Sequence, residues 1–110
     1  MYVINCFNNS RRKDINILVA EDEKDIREVI CKYLEAGDYE IYSAENGVKA
    51  WKIFNEIKID LVVLDIIMPY LDGFNLLKRI RETSKVPAIF LTARGDILIP
   101  LMKKIMQKYL

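Results

Sequence analysis

The sequence predicts an α/β protein built on a doubly wound parallel sheet, and three observations carry that expectation. Short apolar, β-branched runs alternate along the chain with amphipathic stretches at helical spacing, the rhythm of strand-helix units joined by right-handed crossovers. Leu61-Val62-Val63-Leu64 is apolar at four consecutive positions, which marks a strand buried on both faces, as in parallel sheets. That run and an earlier one, Ile17-Leu18-Val19-Ala20, each lead into carboxylates. The carboxyl edge of an open parallel sheet is where such folds bind ligands.

Taken in order, the first strand is expected over Ile15 to Ala20, apolar enough to be central. A helix follows from Lys24 to Ala36, with Ile26, Val29, Ile30, Tyr33 and Leu34 on one face. Glu23 and Asp25 suit its positive start, and Gly37 its end. Tyr39 to Ala44 alternates polar and apolar residues, as an edge strand does. Asn46-Gly47 opens a second helix that runs to about Ile57, with Ala50, Trp51 and Phe54 inward; Trp51 reads as a core or half-buried anchor. The third strand ends at Asp65, and Asp72-Gly73 turns the chain into a third helix. Phe74, Leu77 and Ile80 are expected inward there, with Lys78, Arg79 and Arg81 outward. The fourth strand spans Val86 to Leu91, with Pro87 at its start, where a missing donor is tolerated.

Composition narrows the function classes. The 110 residues make one small domain with room for a single core. Seventeen basic and sixteen acidic residues leave a net charge of +1, so bulk charge argues for neither nucleic acid nor an anionic membrane. Cys6 and Cys31 are isolated and read as reduced thiols. No transmembrane run or secretory signal is present, and a cytoplasmic location is expected. Residues 1–13 read as a flexible leader in which Arg11-Arg12-Lys13 is a solvated charge run.

The candidate chemistry lies in the carboxylates. Asp65 alone would be an ordinary cap or loop residue. If strands one and three run parallel and adjacent, however, Glu21, Asp22 and Asp65 converge on one small pocket. Like charges held that close repel and call for a cation.

Three stretches, Ile17 to Asp25 (ILVAEDEKD), Asp60 to Gly73 (DLVVLDIIMPYLDG) and Val86 to Arg94 (VPAIFLTAR), resemble the receiver domain of two-component response regulators. The three motifs occur in order at the expected spacing, over residues 14–96. The resemblance implies a flavodoxin-like fold with strand order 2-1-3-4 and a phosphoacceptor, Asp65, charged by a sensor histidine kinase. It implies a Mg²⁺ site in which Asp22, Asp65 and the backbone carbonyl of Ile67 are direct ligands and Glu21 binds through water. It also makes Thr92 a phosphoryl contact and switch residue. Thr92 chosen for strand propensity alone is the plainer reading. Ala93 leaves room for a phosphoryl group, and Arg94 reads as a surface charge.

After Asp96 the resemblance fades. A receiver continues with a helix, a fifth strand ending in a lysine that pairs with the phosphoacceptor, and a last helix. Residues 97–110 instead read as an atypical tail, an amphipathic helix over about Pro100 to Tyr109. The expectation is therefore a truncated receiver with the fifth strand and last helix missing, and with Val86 to Leu91 left as an apolar edge. The resemblance is closest to receivers that precede a winged-helix DNA-binding domain, but this chain itself is expected to bind neither DNA nor membrane. Its expected role is that of a phosphoacceptor and not an enzyme, with the kinase, a second copy or another receiver as partner. The alternative is a phosphorylation-incompetent docking module. A phosphatase using Asp65 as nucleophile is disfavoured, because such enzymes commonly place a second carboxylate two residues on, where this chain has Ile67.

Overall fold

A computed structural model of the chain describes residues 15–91. Four parallel strands, β1 (Asn16–Ala20), β2 (Glu40–Ala44), β3 (Leu61–Asp65) and β4 (Ala88–Leu91), alternate with helices α1 (Lys24–Ala36), α2 (Gly47–Glu56) and α3 (Gly73–Arg81). The sheet order is β2-β1-β3-β4, the flavodoxin-like order expected. The two most apolar runs are the central strands. The Leu18 partners are Tyr42 on β2 and Val62 on β3, and Val63 partners Ile89 on β4.

Because successive strand side chains point to opposite faces, each central strand feeds two cores. Leu18, Ala20, Val62 and Leu64 face α2 and α3, where Ala50, Leu76 and Ile80 meet them. Ile17, Val19, Leu61 and Val63 face the other way and meet Ile30 and Leu34 of α1. All of these residues are buried. Trp51 and Phe54 are half-buried on the first face and stack with ring centroids 6.2 Å apart. No helix among the described residues is long and apolar enough to cross a membrane.

Two local expectations need correction. On α3 the buried stripe is Gly73, Leu76 and Ile80, while Phe74 is 55 % exposed and rests its ring against Phe90, centroids 5.0 Å apart. Val29 on α1 is 49 % exposed; the face that reaches the sheet is narrower than the apolar stripe, centred on Ile30 and Leu34. The helix stops at Gly37 as expected; Gly37 keeps φ −89°, and the residue after it, Asp38, is left-handed at φ 65°, a conformation that Asp tolerates. A Cβ on Gly37 would lie 2.8 Å from the Tyr39 ring, so there the glycine provides space.

Candidate functional site

The register of the central strands builds the site. Ala20 lies beside Leu64, so the next residues on each strand, Glu21 and Asp65, emerge at the same level of the carboxyl edge. Glu21, Asp22 and Asp65 each offer a carboxylate oxygen, and these atoms all lie within 4.8 Å of one another. The predicted convergence of the three is therefore present. They line a cavity of about 440 Å³ together with Glu23, Ile26, Ile67 and Leu91. The side chain of Ile67 is 79 % exposed at its rim. Thr92, Ala93 and Arg94, the 1–13 leader and the 97–110 tail lie outside the described residues.

The β1–α1 connection is tied down at each residue. The Glu21 N–H donates to the Ala44 carbonyl at 3.0 Å, which continues the sheet by one bond. The Glu23 N–H donates to Glu21 Oε2 at 3.0 Å, turning that side chain back over its own loop. From the first turns of α1, Arg27 Nη1 donates to the carbonyl of Glu21 at 2.8 Å and to that of Asp22 at 3.4 Å.

The β3–α3 connection is shaped by close approach. A Cβ on Gly73 would lie 2.2 Å from the Asp65 carbonyl oxygen, and one on Gly47 would lie 1.9 Å from that of Leu71. Both positions admit only glycine without a backbone shift. The Gly73 N–H donates to the Ile66 carbonyl at 2.9 Å. Asp72 caps α3 by accepting from the Asn75 N–H at 2.8 Å. Between them Tyr70 stands in a left-handed conformation, φ 69°, with 87 % of its surface exposed.

Electrostatics follow from this crowding. Glu21 is 4 % exposed. Burial first, and then the carboxylates of Asp65 and Asp22, push its pKa up from 4.5 to about 8, against the pull of the Glu23 N–H. Burial also raises Asp65, with Asp22 adding to the rise, while hydrogen bonds from Glu21 and the Ile67 N–H pull the other way. Asp65 Oδ1 is the atom facing that N–H, at 3.4 Å. Three carboxylates in this space favour either a shared proton or a cation. An all-oxygen donor set with room for waters suits a hard divalent ion such as Mg²⁺.

Sequence reasoning missed Arg27, Gly47 and Gly73 as parts of the site. The Asp-Gly pair opening α3 was a signal for Gly73. Arg27 gave none, since its partners are backbone carbonyls.

Fold and acidic pocket together define a receiver domain of two-component signal transduction. The family model described as the response regulator receiver domain matches residues 17–110, past Asp96 where the motif resemblance fades, and the chain belongs to that family. Among curated relatives it is 38 % identical over 91 residues to the probable transcriptional regulator ycf27 of Cyanidium caldarium, covering 83 % of this chain and 36 % of that protein. It is 42 % identical over 79 residues to response regulator GtcR of Aneurinibacillus migulanus, covering 72 % of this chain and 33 % of that one. The chain thus spans about a third of the length of these relatives. The crystal structure of response regulator protein TrrA from Thermotoga maritima in complex with Mg(2+)-BeF superposes with a TM-score of 0.79 at 33 % identity, over 87 % of this chain and 99 % of that one. The receiver domain of the hybrid histidine kinase CckA superposes with a TM-score of 0.75 at 32 % identity, over 86 % and 99 %.

Proposed function

We propose that this receiver, acting in the cytoplasm, accepts a phosphoryl group on Asp65 from the phosphohistidine of a sensor histidine kinase, with Mg²⁺ as cofactor. The observation that carries the reading is the gathering of three carboxylates within 4.8 Å at the carboxyl edge of the central strands. Glu21, Asp22, Asp65 and the backbone carbonyl of Ile67 would hold the ion. Bound there, Mg²⁺ offsets the repulsion among the carboxylates and the charge on the transferring phosphoryl oxygens. The structural relative from Thermotoga maritima, described in complex with Mg(2+)-BeF, supports the same assignment.

Phosphoryl transfer needs little covalent chemistry from the protein beyond a nucleophile in line with the leaving group. A carboxylate oxygen of Asp65 forms the new O–P bond as the P–N bond of the donor breaks, and the electron pair returns to the imidazole nitrogen. Asp65 must be ionised for this, so the proton shared in its neighbourhood has to leave, a change that bound cation favours. Thr92 would donate its hydroxyl to a phosphoryl oxygen and serve as the switch residue.

Incubation with millimolar Mg²⁺ and acetyl phosphate tests the proposal. A base-labile, acid-stable phosphate should appear, require Mg²⁺, and be lost in Asp65→Asn. Wild-type protein that takes up no phosphate, or an adduct that persists in Asp65→Asn, would sink it.

A further inference from the structure

We infer that Arg27 is a positioning residue of the acidic pocket, its guanidinium holding the Glu21–Asp22 backbone in the conformation that gathers the three carboxylates. The inference rests on the Mg²⁺ reading above. Glu21, Asp22 and Asp65 repel one another when ionised, so the loop that carries two of them tends to open unless its backbone is fixed. The Glu21 N–H is fixed to the sheet through Ala44; the carbonyls of Glu21 and Asp22 have a different partner. Arg27 Nη1 reaches both, at 2.8 and 3.4 Å. Arg27 is itself half-buried and anchored in α1 by its own N–H, which donates to the Glu23 carbonyl at 2.9 Å. One rigid helix therefore clamps the loop across a short span. A charged donor makes the stronger kind of hydrogen bond, and a planar guanidinium loses less freedom in making it.

The sign of the effect separates this role from a purely electrostatic one. A positive charge beside a cation site opposes the cation, so if charge alone mattered, removing Arg27 would tighten Mg²⁺ binding. A clamp predicts the opposite. Partners that orient ligands without touching the metal typically contribute 10- to 100-fold in affinity. Calorimetric titration of Mg²⁺ into Arg27→Ala should therefore show a Kd raised roughly tenfold, with Arg27→Lys between it and wild type. In metal-free protein the Asp22 and Glu23 amides should exchange with solvent faster in Arg27→Ala while core amides keep their rates. Mg²⁺ binding that is unchanged or tighter in Arg27→Ala overturns the inference. Should Arg27→Ala fail to fold, Arg27→Lys decides: wild-type affinity together with wild-type amide exchange overturns it. A wild type that binds no Mg²⁺ refutes the metal reading instead, and the metal-free exchange rates then decide on Arg27 alone.

Discussion

Between Ala20 and Lys24 the chain passes from sheet to helix in three residues, whereas between Asp65 and Gly73 it takes seven. In the shorter connection Glu21 is buried, and backbone groups are bonded to Ala44, Glu21 Oε2 and Arg27. In the longer one Ile67 and Tyr70 stand mostly in solvent, Met68 and Leu71 are buried in the core, and backbone approaches closely at Gly47 and Gly73. The short loop is held by directional bonds and carries the buried, proton-binding carboxylate. The long loop is held by the buried side chains of Met68 and Leu71 and by close approach at the two glycines, and it follows the half-buried carboxylate of Asp65. Hydrogen bonds fix Glu21 in place at the cost of desolvating it; close packing fixes the backbone of Asp65 and leaves its carboxylate half-buried.

The largest expected effect concerns the short loop. Glu21 binds its proton with a pKa of about 8 in the folded chain against 4.5 ordinarily, and Asp65 is raised as well. Between those values the folded state holds protons that the unfolded chain has released. Stability is therefore greatest below about 4.5 as far as this group is concerned, and is lost as pH rises through 8. In EDTA the loss should be on the order of 3 kcal/mol, read from urea unfolding across that range, and Glu21→Gln should remove most of the slope. Equal slopes in the two proteins would mean the short loop does not carry a proton-binding carboxylate at all.

Next comes the long loop. Gly73→Ala places a methyl group against the Asp65 carbonyl, and the overpacking should cost about 2 kcal/mol. It should also weaken Mg²⁺ binding, because the backbone that must move is that of Asp65. Wild-type stability and affinity in Gly73→Ala would show that packing does not set this loop. The smallest effect is at Tyr70. Its left-handed backbone is strained for an aromatic residue, and its exposed ring forfeits little on removal. Tyr70→Asn should raise stability by about 0.5 kcal/mol, or a melting temperature by roughly 2–4 °C. A fall would reveal that the ring makes a contact worth more than the strain.

Much of the fold was legible in the sequence because the strands and α1 obey strong periodic rules. The helix was expected over about Lys24 to Ala36 from its apolar spacing and the Gly37 that follows, and it spans those residues. The convergence of Glu21, Asp22 and Asp65 depended on strands one and three lying side by side, an order that the resemblance to receiver domains supplied and the apolar runs alone did not. Phe74 was misassigned because α3 has leucines at both 76 and 77, so its sequence supports two apolar stripes. Only packing against β3 chooses Leu76. Arg27 was invisible for a different reason: backbone carbonyls carry no sequence signature.

The paired glycines have one more implication. Gly47 starts α2 and Gly73 starts α3, and each abuts a carbonyl of the same connection. A displacement of the Asp65 main chain would press directly on the start of α3 at Gly73, and one of Leu71 on the start of α2 at Gly47. Motion begun in the pocket would leave the domain on its α2–α3 side.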